Sequence, residues 1–222
     1  MILHAILIFA WLISLSSFGP LTEAVFRCHR KVDMALLLDG SASITRKQFA
    51  KSKKFVADLV KHFEFSNDKT NVAALTFSRY TRVGRHLNDD SSKEAVLKAI
   101  DGLTYEGSIT RLDSALKLLS TEIFRRSPGA RFHDKGVKKV VVVVTDGLSS
   151  RGIEITRWLT KPLKNNGVKF FSVGIANRVN RDELNEVTSQ PIETHQLIRD
   201  ISKSSFTKWQ VDTFAREICN QK

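Results

Sequence analysis

The sequence predicts a doubly wound α/β domain with a mainly parallel central sheet, one antiparallel edge strand and helices on both faces. Residues 32–38, apart from Asp33, and the five valines at 140–144 are apolar runs, typical of strands that are buried on both faces. Amphipathic segments alternate with such runs, and this alternation indicates a parallel sheet that helices cover on both sides. A chain of 222 residues fits one such domain with its own hydrophobic core.

The first half of the chain supplies three strands and three helices in this prediction. After the strand at 32–38, residues 45–63 carry apolar side chains at helical spacing with lysines on the other side, which predicts an amphipathic helix. Residues 71–77 and 81–87 predict two strands joined by a tight turn, and the second is polar enough to lie at an edge of the sheet. Two further helices are predicted at 91–100 and 112–124.

The second half is predicted to alternate in the same way. The strongest strand signal is KKVVVVVTDG at 138–147, because consecutive β-branched valines favour extended backbone. Helices are predicted at 153–165, 181–188 and 206–220, and strands at 169–175 and 195–198.

The N-terminal segment predicts a secretory signal peptide. Residues 2–18 are apolar apart from His4 and a few serines, and GPLTEA after them offers a processing site that ends at Ala24. A membrane anchor is the alternative, but a span needs about 20 apolar residues and this run is shorter. We therefore expect a signal peptide at 1–24 and a mature domain at 25–222, with its core at 32–220, that is secreted, extracellular and without a membrane span.

The two cysteines, Cys28 and Cys219, lie at the two ends of the expected mature chain. The termini of an α/β domain can lie close together at the surface, and export to an oxidising compartment favours pairing over two free thiols. We therefore predict a disulfide between them.

The chain is strongly basic, with 35 Lys and Arg against 23 Asp and Glu and a net charge of +12. Removal of residues 1–24 would delete one charged side chain, Glu23, and raise the net charge to +13. Such a surface attracts polyanions such as sulfated glycans, although scattered charges can also mean only a soluble basic surface. No nucleic-acid motif accompanies the charges, and secretion makes nucleic acid an unexpected partner.

Oxygen-bearing side chains follow two of the predicted buried strands. Asp39, Ser41 and Ser43 come directly after the first strand, and Asp146 ends the valine-rich strand. Ligands of open α/β sheets sit beyond the carboxyl ends of the strands, and carboxylate and hydroxyl oxygens suit Mg²⁺ or Ca²⁺. The absence of nearby thiolates and histidine pairs disfavours Zn²⁺. Helix capping by the Asp and Ser side chains is the alternative interpretation.

Three motifs together resemble a von Willebrand factor type A domain: DGSAS at 39–43, GSITRLDSAL at 107–116 and VVVVVTDG at 140–147. The resemblance covers residues 32–220 and extends to the adhesion domains of the matrilin, collagen and integrin I type. It implies a metal-ion-dependent adhesion site that binds Mg²⁺, or Mn²⁺ or Ca²⁺ in its place. The implied ligands are Asp39, Ser41, Ser43, Thr110 and Asp146. Ser108 is a rival for the loop position, but counting back from Ala115 and Leu116 selects Thr110.

The resemblance also implies a function. Such a domain binds an extracellular protein, for example collagen or another matrix protein, whose Glu or Asp completes the shell of the metal. One alternative is a basic matrix protein that binds glycosaminoglycans without the metal. Another is a Mg²⁺-dependent phosphohydrolase. That chemistry usually needs a second carboxylate, as acid or base, two residues after the first, but residue 41 is a serine. No Walker-type phosphate loop or G-x-S-x-G motif occurs, so we do not expect an enzyme.

Overall fold

Six strands form one sheet at the centre of the fold. They are β1 (Val32–Asp39), β2 (Thr70–Phe77), β3 (Thr81–Arg85), β4 (Lys138–Thr145), β5 (Val168–Gly174) and β6 (Gln196–Ile198). Their order across the sheet is β3-β2-β1-β4-β5-β6. The β2–β3 pair is antiparallel and the other four pairs are parallel. This arrangement confirms the predicted, mainly parallel sheet with one antiparallel edge strand.

The computed structural model describes residues 26–66, 68–125, 129–147, 149–175, 177 and 179–221. The predicted signal peptide at 1–24 lies outside these residues. Within them, no helix combines the length and apolar character that crossing a membrane requires.

Seven helices surround the sheet in the described part of the chain. They are α1 (Arg46–Val60), α2 (Lys93–Asp101), α3 (Leu112–Leu118), α4 (Ile153–Asn165), α5 (Arg181–Val187), α6 (Ile192–His195) and α7 (Lys208–Cys219). Alternating side chains of the sheet divide the core into two layers. One cluster joins Met34, Leu36 and Leu38 to α1, α2 and α7. The other joins Ala35 and Leu37 to α3, α4 and α5. Helices therefore cover both faces, as predicted.

Some boundaries differ from the prediction for local reasons. The predicted helix at 45–63 ends at Val60, because the next residues pair with the N-terminal segment: the Cys28 N–H donates to the His62 carbonyl (2.6 Å), and the Glu64 N–H donates to the Cys28 carbonyl (3.0 Å). The predicted helix at 112–124 changes after α3 into a π-helical turn at Leu119–Ile123. Sequence patterns did not predict α6, which is a single turn directly before β6.

A disulfide joins Cys28 and Cys219, whose Cα atoms are 5.8 Å apart. Cys28 precedes β1, and Cys219 is the last residue of α7. The bond therefore lies at the edge of the sheet where the parallel strands begin.

The parallel strands end at the opposite side of the sheet from the disulfide. Between β1 and β4, the direction in which the chain adds new strands to the sheet reverses. From β1 the chain first builds β2 and β3 on one side, and then β4, β5 and β6 on the other. Ligand sites of open α/β sheets form at such a reversal, beyond the carboxyl ends of the strands. The carboxyl end of β1 is Asp39, and Asp146 follows β4 directly.

Candidate metal centre

Three loops meet beyond the ends of β1 and β4. The Gly107 N–H donates to the Gly40 carbonyl (2.7 Å), and the Ala42 N–H donates to the Ser108 carbonyl (2.7 Å). The Ser150 N–H donates to the Thr110 carbonyl (2.9 Å). Backbone hydrogen bonds thus bring the loop after β1, the loop before α3 and the loop after β4 together, although they are far apart in sequence.

Asp39 lies at the centre of this edge and is fully buried. Its Oδ1 accepts a hydrogen bond from the Ser41 N–H (2.9 Å), and its Oδ2 accepts one from the Thr145 hydroxyl (2.6 Å). These two bonds fix the orientation of the carboxylate. Each oxygen accepts one hydrogen bond in this way and retains capacity for a further partner.

The surroundings of Asp39 disfavour its negative charge. Burial raises the pKa of the Asp39 carboxyl to about 6, against the lowering effect of the hydrogen bonds from Ser41 and Thr145, and the negative charge of Asp146 raises it further. Two buried carboxylates close enough to repel each other carry an electrostatic cost that a bound cation would offset.

Ser41 and Ser43 lie beside this carboxylate in the loop after β1. Ser41 is fully buried and Ser43 is exposed, and their hydroxyl oxygens are 3.0 Å apart. Neither serine caps α1, because Thr45 is its N-cap and accepts from the Gln48 N–H, while the Gln48 side chain accepts from the Thr45 N–H. The helix-cap interpretation therefore has no support at Ser41, Ser43 or Asp39.

Asp146 is buried at the end of β4, and the chain turns sharply after it. Its carbonyl accepts from the Asn180 N–H (2.9 Å). Gly147 has a φ of +77°, and a Cβ at this position would lie 2.7 Å from the Asn180 carbonyl oxygen. A glycine is therefore required directly after Asp146, which explains the Asp-Gly pair that ends the valine-rich strand.

The loop before α3 contains both candidates for the remaining ligand. Thr110 is 6% exposed, and the hydrogen bonds of the described residues include none to its hydroxyl. The Ser108 hydroxyl instead accepts from Arg79 Nε (3.4 Å), and the Ser108 N–H donates to the Ser78 hydroxyl (3.0 Å). The backbone of Thr110 contacts the loop after Asp146 through Ser150. Of the two, Thr110 is the residue whose backbone touches that loop.

Two residues that support this edge were not predicted from the sequence. Thr145 holds Asp39, and its own oxygen accepts from the Gly147 N–H (3.0 Å). Glu183 of α5 is buried and accepts from the Ser149 N–H (2.9 Å) and the Thr156 hydroxyl (3.1 Å), so it holds the loop after β4. Burial raises the pKa of the Glu183 carboxyl. The position of Thr145 next to Asp146 was a usable signal, whereas Glu183 reaches the site only through the packing of α5.

The donor set of this edge is made of oxygen atoms. No three His, Cys, Asp or Glu side chains come together as a metal-binding group in the described ranges, so two carboxylates and neighbouring hydroxyls are what the edge offers. Hard cations that accept oxygen ligands, such as Mg²⁺, Mn²⁺ or Ca²⁺, fit this set.

Two exposed side chains lie beside the edge. Tyr80, in the turn between β2 and β3, is 60% exposed, and Ile109 is 48% exposed. Both are joined through Ser78, whose N–H donates to the Tyr80 carbonyl (3.1 Å) and whose hydroxyl donates to the Ile109 carbonyl (3.3 Å). Two apolar side chains beside a candidate cation site form a surface suited to contact with another protein.

Comparison with known proteins finds similarity to a family model and to matrix proteins. The family model described as von Willebrand factor type A domain matches residues 33–208. Matrilin-1 of Homo sapiens is 33% identical over 163 residues, which cover 73% of this chain and 32% of matrilin-1. The collagen alpha-1(XII) chain of Notophthalmus viridescens is 29% identical over 204 residues, which cover 91% of this chain and 21% of the collagen. The chain thus spans less than a third of the length of these two relatives.

Solved structures share the fold. Proximal thread matrix protein 1 from the mussel byssus, in a form described as having a zinc-occupied MIDAS motif, aligns with a TM-score of 0.73 and 26% identity over 88% of this chain and 47% of that one. The manganese-loaded TRAP protein of Plasmodium vivax aligns with a TM-score of 0.69 and 20% identity, over 86% of this chain and 74% of that one. The second likeness concerns the fold alone.

Proposed function

The chain belongs to the von Willebrand factor type A family, and from this membership we propose that it is a secreted adhesion or matrix protein that binds a protein partner through a divalent cation. The observation that carries the proposal is the pair of buried carboxylates, Asp39 and Asp146, at neighbouring strand ends. Their mutual repulsion and desolvation are the conditions that a cation relieves.

We assign the cation to Asp39, Ser41, Ser43, Thr110 and Asp146. The two aspartates would neutralise a divalent charge, and the hydroxyls would position the ion without adding further negative charge. When bound, the cation supplies a Lewis-acidic centre for a carboxylate of the partner. Thr145 and the Ser41 N–H hold the Asp39 carboxylate in place. Mg²⁺ is the proposed ion, with Mn²⁺ and Ca²⁺ as substitutes, because the donors are all oxygens.

The partner is a protein that presents a Glu or Asp side chain, and a collagen or another matrix protein is the first candidate. The relation to matrilin-1 and a collagen chain supports this choice. Arg79, which contacts the Ser108 hydroxyl, adds positive charge beside the site, and Tyr80 offers an apolar contact next to it. An acidic residue flanked by an apolar one is therefore the partner sequence that this edge suits.

We place the protein outside the cell and do not assign it an enzymatic activity. The disulfide between Cys28 and Cys219 and the relation to matrix proteins support an extracellular location. Against a phosphohydrolase stands Ser41, which occupies the position where that chemistry needs an acid or a base.

Calorimetric titration with Mg²⁺, Mn²⁺ and Ca²⁺ tests the metal part of this proposal. The wild type should bind at least one of these ions, Asp39→Ala and Asp146→Ala should bind none, and Ser41→Ala should bind more weakly because it loses a neutral ligand. Asp101→Ala is the matched control, since the Asp101 side chain is 93% exposed and its ion pair is with Lys53 of α1 rather than with a residue of the site. Absence of binding by the wild type, or full binding by both aspartate variants, would refute the site.

Binding to immobilised collagen, in Mg²⁺ and then in excess chelator, tests the partner part. Adhesion that chelator removes, and that Asp146→Ala lacks, is the expected result. If the wild type binds the metal but not collagen, the assignment of the partner is wrong and the metal centre stands.

A further inference from the structure

A basic cleft of about 230 Å³ opens at the edge of the sheet where β4 and β5 begin. Its lining residues include four lysines and no Asp or Glu. The lysines are Lys135, Lys138, Lys139 and Lys169. Gln221 forms another part of the wall, and the disulfide at Cys219 holds the chain two residues before it. A fixed, concave surface of one charge sign therefore lies far from the candidate metal centre.

Three of these lysines carry charges that the protein itself does not neutralise. The Lys139 ammonium is committed, since it donates to the Asp134 carbonyl. Lys135 is exposed and Lys138 and Lys169 are half-buried, and none of the three belongs to an ion pair within the described ranges. Three ammonium groups at one opening are therefore available to an anion from solution.

The carboxylates closest in sequence do not cancel this charge. Asp33 is buried in an ion pair with Arg131 (2.6 Å), so these two charges offset each other. Asp134 keeps its negative charge, but it is a single carboxylate against the four lysines of the cleft. The edge as a whole therefore remains positive.

A second cleft of about 360 Å³ adjoins the first, and Lys169 lines both. Lys164 lies in its wall and donates to the carbonyls of Glu186 (2.6 Å) and Thr188 (3.0 Å). The carboxylate of Glu186 is paired with Arg157 (2.9 Å). We call the two adjoining clefts the lysine track. Together they are longer than a pocket for one small ion.

The residues that line the track favour one class of polyanion over others. Neither cleft is lined by an aromatic residue, so the stacking platforms of single-stranded nucleic acid and the aromatic contacts of protein hot spots are both lacking. Lysine ammonium groups act as point charges that donate hydrogen bonds to sulfate and carboxylate oxygens in many orientations. This surface suits a linear, repeatedly charged and polar chain.

We propose that the lysine track binds a sulfated glycan chain, independently of the metal and on the opposite edge of the sheet. Lys138 begins β4 and Asp146 follows its end, so the eight residues of the strand separate the two sites by about 25 Å. A partner protein at the metal edge and a glycan at the lysine track can therefore be bound at the same time. The domain would then link a protein to a glycan.

The affinity for a heparin octasaccharide, measured by surface plasmon resonance at fixed salt and in excess chelator, tests the proposal. The triple variant Lys135→Ala, Lys138→Ala, Lys169→Ala should lose about tenfold in affinity, since three ion contacts are removed. The control variant Lys98→Ala, Lys117→Ala, Lys208→Ala removes the same charge from exposed positions on α2, α3 and α7 and should change the affinity less than about twofold.

Equal losses in the two triple variants would overturn the proposal, because the net charge alone would then explain binding. A Lys→Arg triple at 135, 138 and 169 keeps the charge and should retain most of the affinity, and thermal unfolding of each variant checks the fold.

Competition by a glutamate polymer or a DNA duplex as strong as that of heparin would also overturn the assignment to a sulfated glycan. Metal titration of the same variants should be unchanged, so failure here leaves the metal centre untouched.

Discussion

The Thr145 hydroxyl lies 2.6 Å from Oδ2 of Asp39, across the carboxyl ends of two adjacent strands. The same hydroxyl oxygen accepts from the Gly147 N–H (3.0 Å), so its single hydrogen is directed at the aspartate. One threonine therefore fixes both the Asp39 carboxylate and the turn that presents Asp146.

Thr145→Val should weaken metal binding severalfold and lower the free energy of unfolding by about 1–3 kcal/mol. The substitution keeps the shape of the side chain but leaves the buried Gly147 N–H and one Asp39 oxygen without a partner. Calorimetry and urea denaturation measure the two effects. Thr145→Ser keeps the hydroxyl and should bind metal nearly as the wild type does. Wild-type affinity in the valine variant would mean that Asp39 is positioned by other contacts.

Asp39→Asn should stabilise the metal-free protein at neutral pH. The folded-state pKa of Asp39 is raised from 3.8 to about 6. Protonated Asp39 therefore contributes its full stability at pH values below its pKa in the unfolded chain, and this contribution is lost as the pH rises through about 6. In chelator, the variant should exceed the wild type by up to about 3 kcal/mol at pH 7, and by nearly nothing near pH 4. Urea denaturation across this pH range checks it, and a difference that does not change with pH would contradict it.

Thr110→Ala and Ser108→Ala distinguish the two candidate loop ligands. Removal of the Thr110 hydroxyl should weaken metal binding by about tenfold, whereas removal of the Ser108 hydroxyl breaks the contact with Arg79 and should leave the metal affinity near that of the wild type. Both variants keep the backbone bonds that join the loops. Calorimetry with Mn²⁺ reports the difference, and the reverse order of effects would move the ligand assignment to Ser108.

Cys28→Ser with Cys219→Ser should lower the free energy of unfolding by about 5 kcal/mol in the chain-entropy model, because the bond spans 191 residues. Metal affinity of the folded double variant should not change, since the disulfide and Asp39 lie at opposite edges of the sheet. Urea denaturation and calorimetry measure these quantities. Two free thiols in non-reduced wild-type protein, detected by thiol labelling, would remove the basis of this prediction.

Local sequence patterns predicted the fold because they are strong where the sheet is most buried. The runs at 34–38 and 140–144 are apolar at every position, as is typical of strands covered on both faces, and the polar residues of β3 indicated its place at the edge. The π-helical turn at Leu119–Ile123 and the single turn α6 were not predictable, since both depend on packing rather than on periodicity.

The candidate site was predictable where one motif contains several of its residues. Asp39, Ser41 and Ser43 occur within five residues, and Asp146 directly follows the valine-rich strand. Glu183 supports the same edge from a distant helix, and no spacing in the chain connects it to Asp146. The lysine track escaped prediction for a similar reason: Lys135, Lys138 and Lys169 meet only after β4 and β5 pair.

The Cys28–Cys219 bond also determines how the domain responds to mechanical tension. Any pull on the chain outside these two residues passes through the covalent sulfur bridge, which spans a Cα separation of 5.8 Å, and bypasses the 190 residues in between. The sheet then bears no load, and the edge with Asp39 and Asp146 keeps its geometry while the flanking chain is stretched. In the proposed matrix role, the domain would therefore keep its candidate metal centre intact at forces that unfold a domain without the bridge.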